Sequence, residues 1–234
     1  MATPEAITEE IVKRPGMLEP LVLYVDTFWV SPYALSVFVA LKEKGLPFAI
    51  KALNLRTGDH RQGTYAASSL TARIPALSHG DFTLSESSAI VEYIEDAFPN
   101  GPALFPKDLR QRARARQIMA FVRSDLGALR DERSAETVFY RDMKLPPLTK
   151  AGLAAAAKII GVASSLIPEK GEPESAFGSW CIADVDLAMM LQRLVANREE
   201  VPAHLAAFAN RQWQRPSVRN WVDEPRAPFV PYFT

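Results

Sequence analysis

The stretch Ala72-Arg73-Ile74-Pro75-Ala76-Leu77-Ser78-His79-Gly80-Asp81-Phe82-Thr83-Leu84-Ser85-Glu86-Ser87-Ser88-Ala89-Ile90 decides the fold. Residues Ile74 to Ser78 read as a short strand opened by a proline, the place where a strand tolerates a residue with no N–H to donate. Gly80-Asp81 supplies a turn, and Phe82-Thr83-Leu84 is its hairpin partner. From Ala89 to Phe98 the period changes: Ile90, Tyr93, Ile94 and Ala97 recur at helical spacing and form one apolar face. The order strand, turn, strand, helix follows from the residues alone.

Toward the N-terminus, Leu21-Val22-Leu23-Tyr24-Val25 is an apolar run of strand length. Ser31-Pro32 starts a helix, because serine is a favoured N-cap and proline suits the first helical position. That helix carries Leu35, Phe38, Val39 and Leu41 and stops at Lys44-Gly45, and Phe48 to Leu53 makes a second strand. Asn54 to Ser69 is a polar excursion with room for one short helix. Toward the C-terminus the composition shifts at Pro99-Asn100-Gly101-Pro102, and beyond Leu109 no segment reads as a strand. Residues 109–133, 149–166, 183–199 and 202–211 read as helices, extended by 217–222, before an irregular tail with three prolines from Pro225. The expected division is an arm at 1–19, an α/β domain at 20–99, a linker at 100–108 and an all-helical domain at 109–234.

Twenty-seven basic residues balance twenty-seven acidic ones, which argues against a general nucleic-acid binder or a polybasic membrane protein. The run Arg110, Arg112, Arg114, Arg116 then reads as a solvated or interface helix face. A single cysteine, Cys181, forms no intrachain disulfide, and His60, His79 and His204 are too scattered to suggest a metal site. No apolar run reaches the length of a membrane span, and Met1 to Pro20 lacks the apolar core of a secretory signal. The expectation is a cytoplasmic chain with no nucleic-acid or membrane partner.

Four motifs in order carry a family resemblance: Ser31-Pro32-Tyr33, Ala72 to Leu77, Leu84 to Ile90, and Ile182-Ala183-Asp184-Val185-Asp186-Leu187. Together they resemble the glutathione transferase superfamily from Leu21 to Trp221, nearest to bacterial serine-type members with tau-like and zeta-like features. The resemblance implies a thioredoxin-like β-α-β-β-β-α domain, then a helical bundle, in a homodimer that uses glutathione as co-substrate. It also implies conjugation of glutathione to a small hydrophobic electrophile, or reduction of a peroxide.

Under that resemblance Ser31 is the catalytic residue. A free thiol has a pKa near ~8.5, and lowering it two units takes about 2.7 kcal/mol of preference for the thiolate. A hydroxyl donating to a charged acceptor gives roughly 1.5–3 kcal/mol, and a helix N-terminus adds about 0.3–1. The same oxygen can instead serve as an N-cap by accepting a backbone N–H. Tyr33, two places on, is expected to face the core. The resemblance places the γ-glutamyl end of glutathione on Glu86 and Ser87. It makes Ile74-Pro75 a cis peptide whose Ile74 main chain pairs with the cysteinyl unit, and it assigns Arg73 and His60 to the glycyl carboxylate. Those five, Glu86, Ser87, Ile74, Arg73 and His60, are the expected glutathione-binding residues.

Phe28 and Trp29 would shape the electrophile site, with Arg123 or Arg130 available to an anionic co-substrate. Trp180, Trp213 and Trp221 read as core of the helical domain. The resemblance also puts Asp184 in a helix-capping box, from which this chain departs by carrying Cys181 where the family has Ser or Thr, a weaker expected cap. Two rivals stand beside the transferase: a non-catalytic binding protein of the same fold, and a glutathione-dependent isomerase of the zeta type. The zeta motif's second serine and cysteine are absent around Val30-Ser31-Pro32-Tyr33.

Overall fold

The computed structural model describes residues 19–141, 143–171 and 173–229; the arm expected at 1–19 and the tail from 230 lie essentially outside them. Four strands form one sheet in the order β2-β1-β3-β4, with β1 at Leu21–Asp26, β2 at Ala49–Leu53, β3 at Ala76–His79 and β4 at Phe82–Ser85. β1 and β2 are parallel, with Val22 opposite Ala49 and Asp26 opposite Leu53. β3 runs antiparallel to both neighbours: Tyr24 faces Ala76, and Ala76 faces Ser85. Gly80, at φ 60°, takes the left-handed conformation that closes the β3–β4 hairpin.

Helix α1 (Pro32–Glu43) connects the parallel pair, as a crossover between parallel strands must. Every residue from Ala34 to Leu41 is buried, because the helix is covered on one side by the sheet and on the other by helices from later in the chain. The excursion after β2 holds a 3-10 turn at Asp59–Arg61 and a short helix α2 (Gly63–Ser68). Helix α3 (Ser87–Ala97) follows β4 and packs Ile90, Val91 and Ile94 inward, beside Leu23, Val25 and Leu77 of the sheet. This is the thioredoxin-like topology that the resemblance implied.

The helical domain comprises α4 (Leu109–Ser124), α5 (Gly127–Glu132), α6 (Ala135–Phe139), α7 (Lys150–Leu166), α8 (Ile182–Val195), α9 (Ala203–Trp213) and α10 (Pro216–Val222). The single helix expected at 109–133 is broken. Leu126 adopts φ 62° while the Asp125 carboxylate accepts the Leu126 N–H at 2.6 Å, so a side chain replaces the backbone acceptor and turns the chain. Helix α6 was not foreseen, and α8 ends at Val195 instead of 199. There the N–H groups of Asn197 and Glu199 both fold back to the Leu194 carbonyl, with Arg198 at φ 60°.

The segment between the domains is pinned: Leu104 and Phe105 are buried, and the Leu104 N–H donates to Glu95 while its carbonyl accepts from Ile182. Glu43 at the end of α1 accepts two bonds of 2.7 Å from Arg215 and another from the Ser217 hydroxyl. Trp221 is fully buried, but its ring meets Trp29 at 4.6 Å and Phe38 at 5.4 Å, so it belongs to the seam with the α/β domain more than to the helical core. Trp213 is buried as expected, whereas Trp180 is half-buried with the Arg215 guanidinium 3.9 Å above its ring. Among the described residues no helix is long and apolar enough to cross a membrane.

Candidate functional site

The strand register brings the expected site residues to one edge of the sheet. Tyr24 near the end of β1, Ala76 at the start of β3 and Ser85 at the end of β4 are consecutive partners across the sheet. The loop from β1 to α1, the approach to β3 at Ile74-Pro75, and the turn from β4 into α3 therefore emerge side by side. Ser31, Ile74, Glu86 and Ser87 lie on these three connections.

The first connection is organised by Asp26, which sequence reasoning passed over. Its buried carboxylate accepts the N–H groups of Phe28 at 3.0 Å and Val30 at 3.2 Å through Oδ1, and that of Ser31 at 3.1 Å through Oδ2. The signal was available: an aspartate directly after an apolar strand is the residue that can bond backbone N–H groups two or more places ahead. Ser31 Oγ in turn accepts the Ala34 N–H at 3.2 Å and caps α1. A hydroxyl has two lone pairs and one proton, so capping and donation to a ligand are compatible. Tyr33 turns toward the helical domain, correcting its expected place in the core: its hydroxyl accepts from Arg130 at 3.1 Å, and Arg123 lies 5.7 Å from its ring.

The Ile74–Pro75 peptide is cis. Neither the N–H nor the C=O of Ile74 forms a hydrogen bond within the described chain, so its main chain is open to an extended ligand. The Arg73 carbonyl accepts the Tyr65 hydroxyl, while its side chain is exposed. His60 stands in the 3-10 turn after β2; burial and the neighbouring Arg61 push its imidazole below the usual range, against a smaller opposing pull from Asp59.

Glu86 precedes α3 at φ 73° and ψ 110°, a backbone conformation rare for a residue with a side chain, and it caps nothing. Its own side chain is exposed, and the first N–H groups of α3 have no side-chain acceptor. Ser87 is buried, and its Oγ accepts from Arg123 Nε at 3.1 Å. Arg123 is further engaged through Nη1, with Asp186 at 2.6 Å and the Met119 carbonyl at 2.9 Å. Arg130 donates to Tyr33 and to the Arg123 carbonyl. Both arginines therefore brace the seam between the domains.

The Asp184 carboxylate is fully buried and accepts from the Cys181 N–H at 2.9 Å, the Ala176 N–H at 2.8 Å and the Ser175 hydroxyl at 2.8 Å. Burial pushes its pKa up to about 6 despite these three donors, the largest of them the backbone groups. Cys181 has no exposed surface, and burial together with Asp184 raises its thiol far above the ordinary range, which makes it inert. Trp29, at φ 54°, packs its ring onto Trp221, and its carbonyl accepts from Arg226 Nη2 at 3.0 Å. Phe28 carries the Arg56 guanidinium 4.2 Å from its ring centre. Arg226, the second residue missed from the sequence, ties the C-terminal segment to the loop that ends at Ser31. It lies in a proline-rich tail with no periodicity to announce it.

Two family models match in the expected order. One, described as the glutathione S-transferase N-terminal domain, covers residues 30–97; the other, the glutathione S-transferase C-terminal domain, covers residues 108–224, half of the chain. A solved glutathione transferase homologue from Burkholderia gl BGR1, with bound glutathione, is 42% identical with a TM-score of 0.73, over 88% of this chain and 97% of that one. Human glutathione S-transferase theta-1 is 28% identical over 67% of this chain and 65% of its own length. A maleylpyruvate isomerase from Ralstonia sp is 33% identical over 47% of this chain and 51% of its own length. The matches thus span between about half and two thirds of these curated relatives. Both domain models fall on the two structural domains, and the chain belongs to the glutathione S-transferase family.

Proposed function

We propose that the protein is a glutathione transferase that binds glutathione along the sheet edge and activates its thiol with Ser31. The observation that carries this reading is the state of the two helix starts on that edge. At α1 the serine oxygen is used as an acceptor, which leaves its proton to donate to a thiolate. At α3 the first N–H groups have no side-chain cap and are suited to a carboxylate. In this reading Ser87 and those amides hold the γ-glutamyl carboxylate, Glu86 meets its ammonium, and the unpaired Ile74 main chain takes the cysteinyl unit. Arg73 meets the glycyl carboxylate as a cation, and His60 as a neutral donor at pH 7. The solved homologue with bound glutathione supports the ligand. The resemblance extends the reading to a cytoplasmic homodimer acting on small hydrophobic electrophiles or peroxides.

Calorimetric titration with reduced glutathione tests the site, repeated on Glu86→Ala. Saturable binding weakened by the substitution supports it; no binding at millimolar glutathione would leave the non-catalytic reading. The isomerase reading is favoured by the Ralstonia relative. Turnover of maleylpyruvate by cis–trans isomerisation, with no net consumption of glutathione, would select it over conjugation.

A further inference from the structure

One peptide group in the loop before Ser31 is held at both ends. Arg226 Nη2 donates to the Trp29 carbonyl at 3.0 Å, and the Val30 N–H of the same peptide donates to Asp26 Oδ1 at 3.2 Å. A guanidinium on the oxygen and a carboxylate on the nitrogen are both charge-assisted bonds, and together they set the plane of the peptide. Trp29 needs that restraint. Its φ of 54° lies in the left-handed region, which a residue with a large side chain keeps only where its surroundings over-determine it. Its ring is fixed on Trp221 at 4.6 Å, and Ser31 stands two places further on.

Arg226 is itself fixed from below. It donates to the carbonyls of Trp221 at 2.9 Å, Val222 at 2.7 Å and Glu224 at 3.0 Å, so part of its fork closes the C-terminal end of α10. The guanidinium lies 4.5 Å from the Phe139 ring centre. The next residue, Ala227, accepts the Tyr140 hydroxyl at 2.8 Å, and the Phe229 ring lies 5.1 Å from that of Tyr140. The segment around Arg226 is thus seated on α6 and α10, and one arm of the fork crosses to the α/β domain.

We propose that Arg226 is a positioning residue for thiol activation: by setting the Trp29–Val30 peptide it fixes how the chain enters Ser31, and so where the Ser31 hydroxyl points. The inference rests on the reading of Ser31 as the group that activates the thiol. A double-mutant cycle on the full chain tests it, reading the thiol pKa of bound glutathione from thiolate absorbance. Arg226→Ala should raise that pKa by about 0.5–1 unit and lower kcat about three- to tenfold at pH 7. Affinity for glutathione, measured where the thiol is protonated, should stay within about twofold, because Ile74, Glu86 and Ser87 lie on the other two connections. A residue that served only to close α10 would lower the melting temperature and leave the thiol pKa unmoved. In the Ser31→Ala background, Arg226→Ala should shift the pKa no further. With Ser31→Ala itself displacing the pKa, an Arg226→Ala shift that persists in that background, or no shift in the single variant, would overturn the proposal. Should Ser31→Ala leave the pKa unmoved, the reading of Ser31 fails and the inference falls with it. Should Arg226→Ala fail to fold, Arg226→Gln decides: it keeps a donor for the α10 carbonyls but is too short to hold Trp29 as well. It should give a shift of the same sign, and an unmoved pKa would overturn the proposal.

Discussion

Two helices begin at the same edge of the sheet, and their first turns are finished in opposite ways. At α1 the chain closes its own end: Asp26 accepts three backbone N–H groups of the approach, and Ser31 accepts a fourth from Ala34. At α3 no side chain caps the first turn, and Glu86 is held at φ 73°. A capped terminus is a fixed platform that holds one hydroxyl in place. An uncapped terminus keeps its donors for a ligand, since N-terminal N–H groups and the helix dipole favour an anion. In the proposed reading one end serves stability and positioning and the other binding, and substitutions should separate the two.

The largest effect is expected at Asp26. Asp26→Ala strands three N–H groups around a buried site, and chemical denaturation should report a loss of roughly 3 kcal/mol. A loss below about 1 kcal/mol would mean that water replaces the carboxylate and that the α1 end is not closed as described.

Ser31→Ala tests the double use of one oxygen. Removing the cap should lower stability by about 1 kcal/mol. Removing the donor should raise the pKa of bound glutathione by about 1–2 units, read from thiolate absorbance, with turnover falling about 10–100-fold. A stability change with unaltered thiol pKa would reduce Ser31 to a cap.

Glu86→Gly should give the opposite pattern. Glycine adopts positive φ freely, so the melting temperature should equal or exceed that of the unaltered chain, while glutathione binds about tenfold more weakly. A variant that is both destabilised and fully competent in binding would break the comparison.

The smallest effect concerns how α1 is anchored at its other end. Burial works against ionising Glu43, but its bonds to Arg215 and Ser217 and the Arg215 charge more than offset this, and its pKa lies below 4.5. A carboxyl held below its unfolded value contributes stability that is complete above that value and lost as the pH falls through the folded one. Arg215→Met should therefore cost about 1 kcal/mol at pH 7, shrinking as the pH drops below about 4.5. A cost that does not vary with pH would assign the role of Arg215 to its packing on Trp180.

The sequence by itself determined the α/β domain, because local signals there agree: a period of two, then a helical period, punctuated by Ser31-Pro32, Lys44-Gly45 and Gly80-Asp81. It also showed where the candidate site residues fall along the chain: Ser31 and Glu86-Ser87 at helix starts, and Arg73-Ile74 on the approach to the third strand. What it left undecided depends on contacts between distant segments. The break at Leu126 follows from a side-chain bond that competes with a helix whose apolar pattern continues across it. The placement of Tyr33 at the seam, the tie from Arg226 to the Trp29 carbonyl 197 positions away, and the capture of the Ser87 hydroxyl by Arg123 leave no periodicity to read. The closing of α1 was legible locally in Ser31 and Asp26, but the tertiary structure decided that α3 would stay open, since Ser87 Oγ is taken by Arg123 and Ser85 Oγ by Thr71. A backbone N–H takes whatever acceptor stands within reach, and the fold left no side-chain acceptor at α3.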